Sequence, residues 1–267
     1  MNKGSKIRRK YSIDTLLSLS VCCLLFFSGC GLDEYYVVAA PYLIYNQPTY
    51  STTDFSQKYF DFYTNDTGQT TSSDFDYLGT AVYYKIFNNY STMATEYTAI
   101  IALNSSTTYS AAADKMIDTY GYKELSTSSG TPSPLLPDID ADTRVYIRLM
   151  NYQDNADYAA KIIIGYDPDD DAHDTSVDGD YVPRRNLSKK YTFDFGREDS
   201  DDTGFSVVPD ADDDDVTYSS SFSDDDDAVW YVDVFAVAVG RDTTYTKYYS
   251  TVLHLGSIAI DSSDENN

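Results

Sequence analysis

The stretch AVWYVDVFAVAVG, residues 228–240, is apolar on both faces over a greater length than any other segment after the N-terminal region. In a β-strand, successive side chains point to opposite faces. One face then carries Trp230, Val232, Val234, Ala236 and Ala238, and the other carries Tyr231, Phe235, Val237 and Val239. A strand that is apolar on both sides has to be covered on both sides, so we predict that it lies at the centre of a sheet.

The segment that follows is the natural partner of this strand. Residues 241–246 (RDTTYT) have the composition of a turn, and residues 247–260 (KYYSTVLHLGSIAI) can return beside the strand. With Tyr231, Ala236 and Val237 in a Y-x-x-x-x-A-V arrangement, the pair resembles the last hairpin of fibronectin type III and other immunoglobulin-like domains. This resemblance implies a sandwich of two antiparallel sheets.

Other segments show the same period of two. They are KYFDFYTND (58–66), TAVYYKIFNN (80–89), RVYIRLM (144–150), YAAKIIIGY (158–166) and KKYTFDFG (189–196). Several short strands without repeated βα units predict a mainly β fold, an antiparallel β-sandwich, and the resemblance of the last hairpin implies the immunoglobulin or fibronectin III type.

One region between the strands has a helical composition. Residues 106–125 (STTYSAAADKMIDTYGYKEL) are rich in Ala, with a candidate N-cap at Ser106 or Thr107 and a candidate C-terminal cap at Gly121. We predict one helix here, inside a helical insertion near 91–125. Residues 97–103 suit either a short helical turn or a strand.

The N-terminus has the pattern of an export signal. The basic segment MNKGSKIRRK is followed by an apolar core of 12 residues, Leu16–Phe27, which is shorter than the roughly 20 residues of a spanning helix. Phe27-Ser28-Gly29-Cys30 resembles the lipobox of bacterial lipoproteins, although Phe27 replaces the usual aliphatic residue. The resemblance implies that residues 1–29 are a signal peptide and that Cys30 receives a diacylglycerol. Residues 30–55 would then form a tether or edge strand, and residues 56–267 a single domain.

The residues after Cys30 extend this interpretation. The opening CGLDEYY and the Tyr-rich, acidic body are similar in style to lipoproteins of Treponema-type spirochaetes. This similarity implies a cell-envelope location with the membrane reached through N-terminal acyl chains, and Gly31 after the cysteine favours the outer membrane. Cys22 and Cys23 lie in the segment that would be removed, so no disulfide is expected.

The charge of the chain excludes one class of partner. Residues 1–29 hold five of the 19 basic residues and one of the 43 acidic residues, so the remainder has a formal charge of −28. Because the binding of anionic partners depends on a basic surface, we exclude both nucleic acid and anionic lipid headgroups.

The acidic loops near 167–180 and 199–227 are candidates for calcium binding. The segment DTSVDGDY (174–181) is the nearest to a ligand loop, with Asp174, Asp178 and Asp180, but it lacks a bidentate Glu. We interpret the acidic runs as a solvating surface, with a calcium-binding envelope module as the alternative. No cofactor is predicted.

The sequence offers little catalytic chemistry. It contains no nucleophile elbow, zinc-protease, P-loop or dinucleotide motif, and only two histidines. His254 falls on a predicted strand, on the same face as Val252, where a strand histidine with a hydrogen bond is favoured over a catalytic base. The alternative activity is a lipid-anchored hydrolase or carbohydrate-processing enzyme that uses two carboxylates.

Tyrosine is the other abundant residue, with 27 in the chain. Tyrosines in strands are explained by packing, whereas loop tyrosines supply rigid, amphipathic contacts to ligands. We therefore predict a non-catalytic lipoprotein with a binding or structural role, whose ligand is a protein or a carbohydrate. The candidate binding residues are Tyr181, Tyr218 and Tyr245.

Overall fold

The computed structural model describes residues 36–43, 46–69, 72–105, 107–152, 156–166, 181–195, 208–221 and 229–261. In these ranges the protein is mainly β with antiparallel sheets. The strands are β1 (Phe60–Tyr63), β2 (Phe75–Phe87), β3 (Lys123–Glu124), β4 (Ser126–Thr127), β5 (Leu136–Pro137), β6 (Arg144–Arg148), β7 (Lys161–Ile164), β8 (Pro183–Arg184), β9 (Val216–Thr217), β10 (Trp230–Asp242), β11 (Lys247–Tyr249) and β12 (Leu253–Ile260).

Strand β10 occupies the centre of the larger sheet, as predicted. Along one edge it pairs with β2, from Tyr231 opposite Phe87 to Asp242 opposite Phe75. Along the other edge it pairs with β12 and then with β11, which confirms that residues 247–260 return beside it. Residues 232–240 are all buried, so the strand is covered on both faces.

The two faces of β10 belong to different hydrophobic clusters, which confirms the predicted alternation. Val232, Val234 and Ala236 join the cluster to which both sheets contribute, which we call the inter-sheet core. Phe235 and Val237 join a second cluster, formed with the helices. Burying such a side chain contributes about 1.5–3 kcal/mol, so β10 stabilises both layers at once.

A smaller sheet, in the order β1-β6-β7, supplies the other side of the inter-sheet core. Its registers place Phe60 opposite Ile147 and Val145 opposite Ile164. These side chains are buried in the same cluster as those of β2 and β10. The predicted alternation in β1 and β6 is therefore confirmed.

Helix α1 (Tyr90–Ile101) follows β2 directly and is longer than the short turn predicted near 97–103. Its sequence is rich in Ser and Thr, which have modest helix propensity. The helix forms because the Asn89 side chain caps its first turn and because Met93 and Ile100 are buried against the larger sheet.

Helix α2 (Ala111–Asp114) continues into a π-helical segment, Lys115–Thr119. The N-cap predicted at Ser106 or Thr107 is wrong, since Ser110 precedes the first helical residue. The C-terminal prediction is confirmed, because Gly121 adopts φ +70°, a conformation that glycine tolerates without strain.

The strand predicted at residues 189–196 is absent from its described part, since residues 191–195 have irregular structure. Phe193 and Phe195 are nevertheless buried, with rings near those of Tyr84 and Trp230. The alternating apolar residues of this segment are explained by a loop that buries two aromatic rings in the core.

Tyr36 and Tyr50, in the first two described ranges, lie at opposite ends of β10. Tyr36 stacks on Phe75, with ring centroids 4.7 Å apart, near the last residue of β10. The Tyr50 ring lies beside the ring of Tyr231, near the first residue of β10. We call the two ends of β10 the Tyr36 end and the Trp230 end. The 13 residues of β10 separate them by about 40 Å at a rise of ~3.3 Å per residue.

Candidate functional site

Three tyrosines form a group at the Trp230 end, which we call the tyrosine cluster: Tyr50 and Tyr90, which are exposed, and Tyr231, which is half-buried. The centroids of the Tyr50 and Tyr90 rings are 3.9 Å apart, and that of Tyr231 lies 6.2 and 6.0 Å from them. Tyr90 is the first residue of α1 and is positioned by the Asn89 cap. The cap therefore fixes the position of Tyr90 within the cluster.

The tyrosine cluster can make both stacking and hydrogen-bonding contacts. Tyr50 is 39% exposed and Tyr90 is 37% exposed, although both are large aromatic residues. A hydrogen bond with Tyr50 raises the pKa of the Tyr90 hydroxyl, and burial raises that of Tyr231. The Tyr90 and Tyr231 hydroxyls therefore stay neutral at physiological pH, so this surface suits an uncharged, hydrogen-bonding ligand.

Sequence reasoning did not find this cluster. Tyr231 is explained by its strand, Tyr50 falls in the predicted tether or edge strand, and Tyr90 lies 40 positions further along the chain. Nothing local links these residues. The pairing of β2 with β10 places Tyr90 near Tyr231, and contacts of Gln47 and Pro48 with β12 bring Tyr50 to the same end.

Two of the predicted binding tyrosines are partly buried. Tyr218 lies at the Trp230 end, with its ring 6.5 Å from that of Trp230. Tyr181 forms a β-bridge with Ile162 of β7. Both rings pack against the inter-sheet core, so each offers only part of its surface to a ligand.

Tyr245 lies at the opposite end of the domain from Tyr218. It occupies the turn after β10, is 77% exposed and adopts φ +66°. Its ring lies 5.4 Å from the Arg241 guanidinium carbon. The length of β10 separates Tyr245 from Tyr218, so these two residues cannot contact one small ligand.

The remaining predicted site residues, Cys30, Asp174, Asp178 and Asp180, lie outside the described residues. Within the described ranges, no group of three or more His, Cys, Asp or Glu residues could hold a metal ion. Nor does any helix in this part of the chain have the length and apolarity to cross a membrane.

His254 forms part of a polar group beneath the helices. Its Nε2 lies 2.7 Å from Oδ1 of Asp233, whose Oδ2 accepts a hydrogen bond of 2.8 Å from the Tyr122 hydroxyl. Its Nδ1 lies 3.3 Å from the side-chain nitrogen of Gln47. Both ring nitrogens are therefore engaged, as expected for a strand histidine with a structural role.

A buried ion pair lies beside this group. Lys85, opposite Asp233 in the sheet, donates to Oε2 of Glu96 at 3.0 Å and to the carbonyl of Tyr120. Burial lowers the pKa of Lys85 and raises the pKa of Glu96, since it disfavours both charges. The pair holds α1 on the sheet.

A second buried network lies on the inter-sheet side of β2. The Arg185 guanidinium donates to both carboxylate oxygens of Asp215, at 3.0 and 2.6 Å. The Tyr84 hydroxyl donates to Asp215 at 2.7 Å. Burial and the Asp215 charge raise the pKa of Tyr84, which keeps its proton on the hydroxyl.

Apart from the half-buried Glu124, whose Oε1 is enclosed without a partner, every buried carboxylate of the described residues accepts a hydrogen bond from another side chain. These residues are Asp61, Asp66, Glu96, Asp194, Asp215 and Asp233. Such carboxylates stabilise the fold and are not positioned as a solvent-facing acid and base.

Comparisons with protein families, with curated proteins and with solved structures find no match to this chain.

Proposed function

We propose that this protein is a lipid-anchored lipoprotein of the cell envelope that binds a ligand and does not catalyse a reaction. The observation that carries the proposal is the tyrosine cluster. It lies about 40 Å, the length of β10, from Tyr36, the first described residue. The engagement of His254 and of the buried carboxylates supports a binding role over hydrolysis.

Anchoring would occur through Cys30, with the chain from Tyr36 onward outside the bilayer. A diacylglycerol and an additional acyl chain meet the requirement for more than one chain, since each buried methylene contributes about 0.8 kcal/mol. The experiment is metabolic labelling with a fatty acid in the wild type and in Cys30→Ser. Label should appear only in the wild type, and equal labelling of both would contradict the anchor. Separation of the two membranes would then test the outer-membrane location that Gly31 favours.

The proposed ligand surface is the tyrosine cluster, with Tyr181 and Tyr218 as further candidates. A carbohydrate is the favoured ligand class, because tyrosine rings can stack on sugars while their hydroxyls form hydrogen bonds. A peptide segment of a protein partner is the alternative.

The binding test uses residues 31–267 on a glycan array and on a peptide array. Tyr50→Ala/Tyr90→Ala should abolish a signal that Tyr245→Ala retains, because Tyr245 is equally a surface tyrosine but lies at the other end. Equal signals from both variants on every ligand would show that the tyrosine cluster is not the binding surface.

A β-sandwich fold belongs to the same proposal. It is supported by the shared core, to which β1, β6 and β7 contribute from one sheet and β2, β10 and β12 from the other. The immunoglobulin-like identity rests on the resemblance of the β10–β12 hairpin alone.

A further inference from the structure

The turn between β10 and β11 has an exposed tip. Residues 243–247 are all exposed, with Tyr245 at 77% the most exposed large apolar residue described. Its φ of +66° lies in the left-handed region, which favours glycine and is costly for tyrosine. An aromatic residue that is both strained and exposed is better explained by an external contact than by folding.

The turn holds this tip in one shape. Oδ1 of Asp242 accepts hydrogen bonds from the backbone N–H groups of Thr244 and Thr246, at 2.8 and 2.9 Å. The Thr244 hydroxyl donates to the same oxygen and lowers the pKa of Asp242, so the carboxylate stays ionised. The Tyr245 ring is therefore presented by a pre-organised turn.

The turn also lies at the Tyr36 end of the domain. The Tyr248 hydroxyl donates to Oδ2 of Asp242 at 3.2 Å, and the Tyr248 ring lies 5.4 Å from the Tyr36 ring. Tyr36 is six residues after Cys30, and six residues of fully extended chain span at most about 20 Å. An acyl chain on Cys30 would keep Tyr36 within that distance of the lipid headgroups.

The basic residues of the turn fit a lipid surface. Of the 13 Lys and Arg residues in the described ranges, five are buried, and Lys189 and Lys247 are the two in exposed positions. The Arg241 side chain, at the base of the turn, is 40% exposed and pairs with the exposed carboxylate of Asp76 at 3.4 Å. Tyr, Lys and Arg are the residues that place an apolar body in the membrane interface and a polar end in water.

We propose that the turn 243–247 contacts the headgroup region of the bilayer in which Cys30 is anchored, with the Tyr245 ring in the interface. The partner is a lipid surface, and zwitterionic lipid suits it best because the formal charge of −28 repels anionic lipid. The contact rests on the proposed lipidation of Cys30. It places the Trp230 end, and with it the tyrosine cluster, away from the membrane.

The experiment uses the full, lipidated chain in vesicles of phosphatidylcholine that contain brominated phosphatidylcholine, which quenches tryptophan on close approach. Tyr245→Trp and the matched variant Tyr50→Trp each add one exposed tryptophan, at opposite ends of β10. The native Trp230 is buried and supplies the same background in both. Most of the added emission should be lost in Tyr245→Trp and retained in Tyr50→Trp.

Equal quenching of the two variants, or stronger quenching of Tyr50→Trp, would overturn the contact while leaving the anchor in place. Failure of the unsubstituted chain to float with the vesicles would instead reject the anchor, and the contact with it. Hydrogen exchange of the unsubstituted chain avoids any effect of substitution on folding. Amide exchange in residues 243–247 should be slower in the vesicle-bound chain than in the soluble Cys30→Ser variant, whereas exchange in residues 51–54 should be the same in both. Equal exchange rates at residues 243–247 in the two samples would also overturn the contact.

Discussion

Replacing Val234 by Asp tests the central position of β10 most directly. Val234 is 0% exposed and lies in the inter-sheet core. It is flanked in the sheet by Tyr84 of β2 and Gly256 of β12. A carboxylate at this position cannot reach water without opening the contact between the sheets.

The cost of Val234→Asp has two parts. Loss of the buried valine removes about 1.5–3 kcal/mol. Keeping the new carboxyl protonated at pH 7, about three units above its unfolded pKa of ~3.9, costs about 4 kcal/mol at ~1.4 kcal/mol per unit. The sum of about 6 kcal/mol is comparable to the whole stability of a typical domain, about 5–15 kcal/mol.

The second part of this cost depends on pH. The pKa of the new Asp is raised in the folded state, so the folded protein binds more protons than the unfolded chain. Its destabilisation therefore increases with pH above the unfolded pKa, and lowering the pH from 7 to 5 should recover about 2.7 kcal/mol.

The assay is urea unfolding of residues 31–267, followed by Trp230 emission at both pH values. Val208→Asp is the matched control because Val208 is 50% exposed, and its stability should change by no more than about 0.5 kcal/mol. If Val234→Asp unfolded at the same urea concentration as Val208→Asp, the reasoning that places β10 at the centre would be refuted.

Two further predictions concern charge. Lys85→Met should lower the free energy of unfolding by about 3–5 kcal/mol, because it leaves Glu96 buried without its partner, and Lys85→Met/Glu96→Leu should recover most of this loss. A double-mutant cycle in urea measures the coupling between the two residues. Additive effects would show that the pair is not buried in solution. Neutralising the acidic loop at Asp174, Asp178 and Asp180 should leave the melting temperature unchanged in millimolar calcium and in chelator, because diffuse solvating charge has no preference for one ion. A calcium-dependent shift of many degrees that disappears in this variant would instead identify a metal site.

The alternation of apolar residues was sufficient to predict most of the strands. It correctly predicted the alternation in β2, β6 and β10 and the return of residues 247–260. The reason is that the side chains on one buried face of a strand recur at every second residue. The same rule produced the wrong strand at 189–196, since a loop that buries Phe193 and Phe195 has the same spacing.

The sequence by itself determined the elements whose local pattern is strong and the chemistry available to the chain: a central strand apolar on both faces, an acidic body and a single candidate acylation site at Cys30. Tertiary structure alone decided that Lys85 and Glu96 meet, and that Tyr50 and Tyr90 lie at the opposite end of the domain from Tyr245. The physical reason is that hydrophobic periodicity is set by neighbouring residues. The first contact depends on the packing of α1 against the larger sheet, and the placement of the tyrosines depends on β2 and β10 pairing across more than 140 positions of sequence.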